Sequence, residues 1–267
     1  MLVLPGVFLP VEAENLVLPF MAENRNLFRG KSVLEIGTGT GIISVYAARL
    51  GAKRVVSTDI SEMALKNAAE NAKRFGVASV IETRLVPPSD MSAYSVIKPD
   101  EAFDIIISNP PYSLDLEADK NTAVTDRGDL GFSIVRGLET HLEPGGRALL
   151  YYGSLFYHQV MVKFARHEGF DVRNHSSSIV TRGEAETLFN AYLSRLLQHE
   201  KMEPDAFRFD FNADRDLGQI RVLRDPKWVP DPLVPGNSNR WFPGWMVIQR
   251  KQPPSGAPSA RKSELPR

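Results

Sequence analysis

The sequence predicts an α/β protein with a doubly wound, mostly parallel sheet, and three stretches carry that reading. Val33-Leu34-Glu35-Ile36 has strand character and runs into Gly37-Thr38-Gly39-Thr40-Gly41. Ile42, Ile43, Val45, Tyr46 and Leu50 then recur at helical spacing. Val55-Val56-Ser57-Thr58 is a second apolar run, ending in Asp59, and Asp104-Ile105-Ile106-Ile107-Ser108 is a third, ending in Asn109-Pro110-Pro111-Tyr112. Short apolar strands alternating with helical patterns give βαβ units, and a strand covered on both faces reads as a continuous apolar run.

The elements follow in order. A helix over 12–24 opens the chain. After the glycine stretch, helix 42–50 ends at Gly51, where a left-handed residue closes a helix. Strand 54–58 follows, and Ser61 caps a helix that Gly76 terminates. Met63, Ala64, Ala68, Ala69 and Ala72 predict its narrow buried face. A strand over 80–86 is broken by Pro87-Pro88-Ser89-Asp90. Strand 103–108 leads into a polar, acidic loop over 113–128. Leu130, Ile134, Val135, Leu138 and Leu142 then mark helix 129–142. Glu143-Pro144-Gly145-Gly146 reads as a turn, followed by strand 148–152, helix 155–168 and strand 170–173. The pattern loosens from Ser176. A helix over 187–201 and an irregular 203–240 precede a closing strand, Trp245 to Gln249. Residues 252–267 have the composition of a disordered tail.

With 267 residues the chain suits one large domain, here expected over 1–251 with an insertion near 176–240. Thirty-two basic and thirty-two acidic side chains cancel, which argues against a duplex nucleic acid as a standing partner. No cysteine is present, excluding a disulfide framework, a thiolate zinc site and a cysteine nucleophile. Pro5, Gly6 and Pro10 interrupt the apolar start, and no basic segment precedes it, so it makes a poor signal peptide. No run is long enough to span a bilayer, and a cytoplasmic protein is expected. The five histidines (His141, His158, His167, His175, His199) show no metal spacing and no nucleophile partner; four lie on predicted helices or their ends, where solvated surface is the plainer expectation, and no metal is predicted. Ser154 lacks the Gly-x-Ser-x-Gly elbow of a hydrolase. Trp228, Trp241 and Trp245 either line a pocket under the insertion or, as the plainer alternative, pack that insertion on its domain.

The glycine stretch departs from the dinucleotide fingerprint, which wants glycine where Ile42 stands, so a nicotinamide dehydrogenase is disfavoured. Taken with Asp59 and the Asn109-Pro110-Pro111-Tyr112 tetrapeptide, it resembles the class I S-adenosylmethionine-dependent methyltransferases, in the branch that methylates planar nitrogens. The resemblance runs from about Val7 to Gly153 and again, more weakly, over the last strand, and implies a seven-stranded Rossmann-like sheet whose last strand is antiparallel. The nearest likeness is to the release-factor glutamine methyltransferases. It rests on Phe8-Leu9-Pro10-Val11-Glu12, the tetrapeptide, and helix 129–142 with its Pro-Gly-Gly turn. In that family the Phe8–Glu12 segment closes over cofactor and acceptor; a helix-capping acid is the alternative for Glu12.

The resemblance implies S-adenosylmethionine as cofactor. Gly37, Thr38, Gly39 and Gly41 would lie along its methionine and ribose, and Glu35 would face its amino group. Asp59 would accept from the ribose hydroxyls beside Ile60, with helix capping as the plainer alternative. Asp90 would meet the adenine amine. Asn109, which would also lie against the cofactor, and Pro110 would each accept an N–H of the acceptor nitrogen, turning its lone pair toward the methyl group, and Tyr112 would stack on a planar acceptor. The expected acceptor is a protein glutamine amide. An exocyclic amine of a nucleic-acid base, a small-molecule amine and a non-catalytic cofactor-binding module stay as alternatives. The family's usual helical recognition domain is not evident ahead of the glycine stretch, so the 176–240 insertion is expected to supply an acceptor site.

Overall fold

The computed structural model describes residues 1–8, 11–87, 89–90, 92–111, 113–114, 125–126, 130–152, 155–176, 221–224, 227–230 and 244–251. Helix α1 (Val11–Glu23) and a 3-10 turn (Arg25–Leu27) precede β1 (Ser32–Ile36), α2 (Ile42–Arg49), β2 (Arg54–Asp59), α3 (Glu62–Arg74), β3 (Ile81–Leu85) and β4 (Phe103–Ser108). Two short strands follow, β5 (Ser113–Leu114) and β6 (Thr125–Asp126), then α4 (Leu130–His141), β7 (Leu142–Tyr152), α5 (Leu155–His167) and β8 (Phe170–Ser176). Strands β9 (Arg221–Arg224) and β10 (Lys227–Pro230) form an antiparallel pair, and β11 (Gly244–Arg250) closes the described chain.

Seven strands form one sheet in the order β3-β2-β1-β4-β7-β11-β8. Neighbours are parallel except β11, which runs antiparallel to both β7 and β8. The chain steps outward from β1 through β2 to β3 and then returns to β4 on the other side. That reversal leaves a crevice outside the carboxyl ends of β1 and β4, where sheets of this class hold ligands.

Strand alternation divides the core into two layers. Ile106 packs with Leu34, Ile36, Phe132, Val135 and Phe164. Its neighbours Ile105 and Ile107 pack on the other face with Val17, Met21, Val33 and Ala47. Burying a side chain of this size contributes about 1.5–3 kcal/mol, so β4, covered on both sides, anchors the crevice.

The structure departs from the sequence reading at several elements. The Glu143–Gly146 turn does not precede its strand but lies within β7. The pairing slips from Phe103↔Leu142 to Ile105↔Arg147, so these residues form a bulge, with Gly145 at φ 82. Strand β8 extends to Ser176, three residues further than expected. The 113–128 loop contains the β5–β6 pair, and the 203–240 stretch contains β9–β10. Helix 187–201 and the tail 252–267 lie outside the described residues.

His141 is buried rather than solvated: its ring stacks on Tyr94 at 4.6 Å and its Nδ1 lies 2.8 Å from the Glu101 carbonyl. Trp245 sits in the core against Tyr151, in the layer that holds α1. On α3 the buried stripe is Ala64, Asn67, Ala68, Asn71 and Ala72, while Met63 is exposed. Two asparagines therefore stand where the apolar pattern continued onto Met63 and Ala69.

Glu101 ties the loop before β4 to the outer strands. It accepts from Arg84 at 2.6 and 2.9 Å and from Arg54 at 2.5 Å. The Arg84 bond, with Arg54 and the Lys98 N–H, holds its carboxyl down to about 2. A depressed acid stabilises the fold above its unfolded value near 4.5 and loses that contribution as pH falls toward 2. Glu101→Gln is expected to cost about 2 kcal/mol at neutral pH. Denaturant titrations at pH 7 and pH 3 check this, because the variant's deficit should shrink at the lower pH.

Candidate active site

Three strand ends meet at the crevice in one register. Ile36 of β1 is level with Thr58 of β2 and Ser108 of β4. The Gly37 and Thr38 amides both donate to the Thr58 carbonyl, at 2.9 and 3.0 Å. On the other side the Ser108 hydroxyl donates to the Ile36 carbonyl at 2.8 Å. The next residue on each strand is Gly37, Asp59 and Asn109. Three motifs far apart in sequence thus emerge side by side.

The loop from β1 to α2 is bare backbone. Gly37 takes φ 73, a left-handed conformation that a side chain disfavours, and a Cβ placed there would meet nothing within 4 Å. Gly41 also has positive φ but for a different reason: its Cβ would fall 2.6 Å from the Ala68 Cα of α3. It sits at the start of α2 and lets two helices close on the loop.

Glu35 is buried beneath this loop. Its Oε2 accepts from the Thr38 hydroxyl at 2.7 Å, the Ser44 amide at 3.1 Å and the Ser44 hydroxyl. The Ser44 hydroxyl, spending its proton on Glu35, must accept from Ser57 Oγ at 2.6 Å. Burial pushes the Glu35 carboxyl up to about 7, against the hydrogen bonds from Ser44 and Thr38. Ser44 lies in the first turn of α2, so the acid also complements that helix terminus.

Asp59 holds the loop by its tip. Oδ2 accepts from the Gly39 amide and Oδ1 from the Ser61 amide, both at 2.9 Å. Burial raises its carboxyl, opposed by these backbone bonds. The α3 cap is Ser61, whose Oγ accepts from the Ala64 amide at 3.3 Å. A carboxylate has about four acceptor sites, so capacity for a ligand hydroxyl remains beside these backbone bonds. Ile60, beside it, is 41% exposed.

Asn109 and Pro111 are half-buried and Pro110 is buried at the end of β4. Asp90 is exposed and accepts from the Ser92 amide at 3.0 Å. Tyr112 and the side chain of Glu12 lie outside the described residues. Ser44, Ser57, Asn67 and Asn71 were not singled out from sequence; the two asparagines carried one signal, their spacing of four on a helix. Among the described residues, no three or more of His, Asp and Glu are grouped as a metal site, and no helix is long and apolar enough to cross a membrane.

This arrangement suits a nucleoside ligand with a cationic tail. It offers open backbone at Gly37, carboxylate acceptors at Asp59, an exposed apolar side chain at Ile60 and a buried acid at Glu35. The Thr40 hydroxyl, buried in the same loop, has no partner among the described residues. The fold and these strand ends define a class I methyltransferase domain.

Comparison with known proteins agrees. Residues 18–133 match the family described as ribosomal protein L11 methyltransferase (PrmA). A release factor glutamine methyltransferase of Cereibacter sphaeroides is 40% identical over 140 residues, 46% of this chain and 47% of that protein. A Methanocaldococcus jannaschii protein assigned to N5-glutamine methylation is 34% identical over 177 residues, 63% of this chain and 83% of its own length. The chain thus spans about half the length of the first relative and most of the second. In fold it is similar to a precorrin 8W decarboxylase of Methanobacterium thermoautotrophicum, with TM-score 0.51 and 15% identity over 93% of this chain and 95% of that one. The chain belongs to the S-adenosylmethionine-dependent methyltransferases, in the branch that includes the protein glutamine methyltransferases.

Proposed function

We propose that this protein transfers the methyl group of S-adenosylmethionine to a planar nitrogen, and that the acceptor is a glutamine side-chain amide of a protein. The observation that carries this reading is the placement of Asn109-Pro110 one residue past the Ile36–Ser108 pair, beside the glycine loop. The cofactor supplies an activated methyl group on a sulfonium. The chain supplies position. An amide nitrogen has a conjugated lone pair and needs to be turned as well as approached. The Asn109 side-chain oxygen and the Pro110 carbonyl accept its two N–H groups, which aims the lone pair along the line of transfer. Fixed dipoles also meet the positive charge that develops on nitrogen. Holding two reactants in line supplies up to roughly 7–11 kcal/mol in favourable systems. No tuned general base is required before transfer, because the nitrogen sheds its proton to water only after the methyl group has moved and S-adenosylhomocysteine is the leaving group.

The relatives named for release factor and for ribosomal protein L11 both support a protein acceptor. The Asn-Pro-Pro sequence, built for a planar nitrogen, favours glutamine. We also propose that Tyr112 stacks on the acceptor and that the 176–240 insertion selects it. The cytoplasmic location expected from the cysteine-free sequence belongs to the same proposal. Tritiated methyl transfer into a fractionated lysate tests the acceptor class. Label that protease releases supports the reading, whereas label that nuclease removes, or label confined to small molecules, rejects it.

Two further outcomes are expected. Asp59→Ala removes a charge-assisted acceptor worth roughly 1.5–3 kcal/mol, so S-adenosylhomocysteine should bind about 10- to 150-fold more weakly by calorimetry. Glu35 takes a proton near pH 7 in the free protein. A ligand amine cation favours the carboxylate, so affinity should rise as pH increases through about 7, with a proton released on binding. Titrations in two buffers of different ionisation enthalpy measure that proton, and Glu35→Gln should abolish it.

A further inference from the structure

We propose that Asn67 and Asn71 are positioning residues that tie the segment Leu2–Phe8 and the glycine loop into one unit, and that this unit slows release of the cofactor. The inference rests on the cofactor site described above. Both asparagines are completely buried on α3, at a spacing that puts them on one face. Their side-chain amides are used in full. Asn67 Oδ1 accepts from the Leu4 amide at 2.6 Å, and Asn71 Oδ1 accepts from the Leu2 amide at 2.8 Å. Each Nδ2 donates twice. Asn67 reaches the carbonyls of Leu2 at 3.0 Å and Thr40 at 3.4 Å, and Asn71 reaches the same two at 2.8 and 2.9 Å. Leu2 and Thr40 are thus joined through α3 although they lie on separate stretches of chain.

Thr40 belongs to the glycine loop. The segment then turns, with the Val7 amide donating to the Leu4 carbonyl at 3.1 Å and Gly6 at φ 80. The turn brings the Phe8 carbonyl to 3.9 Å from where a Cβ on Gly39 would stand. Gly39 is the residue whose amide Asp59 holds. The segment therefore lies against the tip of the loop, with the Phe8 side chain 39% exposed at its edge. A purely structural pair of asparagines would need only to satisfy one another or the helix. These two spend every polar atom on the loop and the segment beside it.

Stopped-flow measurement of S-adenosylhomocysteine binding tests the proposal, with melting temperature recorded for each variant. Leu4→Pro removes the amide N–H that donates to Asn67 Oδ1 together with the leucine side chain, while Leu4→Ala removes the side chain and keeps the amide. The expected result is a dissociation rate about tenfold faster in Leu4→Pro and in Asn67→Ala, with the association rate within about twofold of wild type. Leu4→Ala should match the wild type. The double variant Leu4→Pro/Asn67→Ala should be no faster than the faster single variant, as coupled residues require. An unchanged dissociation rate in Leu4→Pro overturns the proposal, as does an equal effect of Leu4→Ala or multiplicative effects in the double variant. Absence of any binding by the wild type rejects the cofactor reading itself, a separate failure.

Discussion

Replacing Asn109 with alanine is expected to lower the methyl-transfer rate about 100- to 1,000-fold while S-adenosylhomocysteine binds within about threefold of wild type. The asymmetry follows from position. Asn109 stands at the end of β4, across the Ile36–Ser108 pair from the loop that would hold the cofactor. Cofactor affinity is assigned to the β1 and β2 ends, through Gly37, Asp59 and Ile60. The Asn109 oxygen is assigned to an acceptor that needs it most as charge develops on nitrogen. An interaction made in the transition state changes kcat and kcat/KM together. Single-turnover rates with saturating acceptor, set beside calorimetric affinities, separate the two effects. An equal loss of binding and rate would move Asn109 to the cofactor side.

Gly41→Ala is expected to be the most damaging single methyl group in the loop, costing about 3 kcal/mol of stability. Two causes add. The residue is held at φ 77, and its new Cβ would lie 2.6 Å from the Cα and 2.7 Å from the Cβ of Ala68. Backbone of a buried helix cannot step aside as a side-chain end can. The α3 helix is also tied to the loop carbonyl of Thr40, so pushing it outward strains the Asn71 bond. Thermal denaturation should show a melting temperature lower by about 6–12 °C. Gly37→Ala provides the contrast, since its Cβ meets open space and only the strain of φ 73 remains. Its stability loss should be about 1–2 kcal/mol.

The parallel core was legible because its signals are local. A buried strand such as β4 carries an apolar run, Ile105-Ile106-Ile107, and proline follows its end. Asp59 and Asn109 could be placed at one crevice because each follows such a run directly. What escaped depends on long-range partners. Nothing near Asn67 and Asn71 in sequence shows the segment that satisfies them. His141, expected on the solvated surface, is buried because its stacking partner Tyr94 and its carbonyl partner at Glu101 lie on a separate loop. The bulge in β7 looks like a turn in sequence because Pro144-Gly145-Gly146 breaks local periodicity, while the ladder to β4 resumes beyond it. Ser44 and Ser57 were passed over because a hydroxyl's role is set by its neighbour, here the buried Glu35.

The central claim is that a planar amide nitrogen receives the methyl group. Enzymatic digestion of the labelled acceptor protein to single amino acids, followed by mass spectrometry, identifies the methylated atom directly. N5-methylglutamine is the expected product, formed by the wild type and lost in Asn109→Ala. Label recovered on an aliphatic amine, with Asn109→Ala still active, would contradict it.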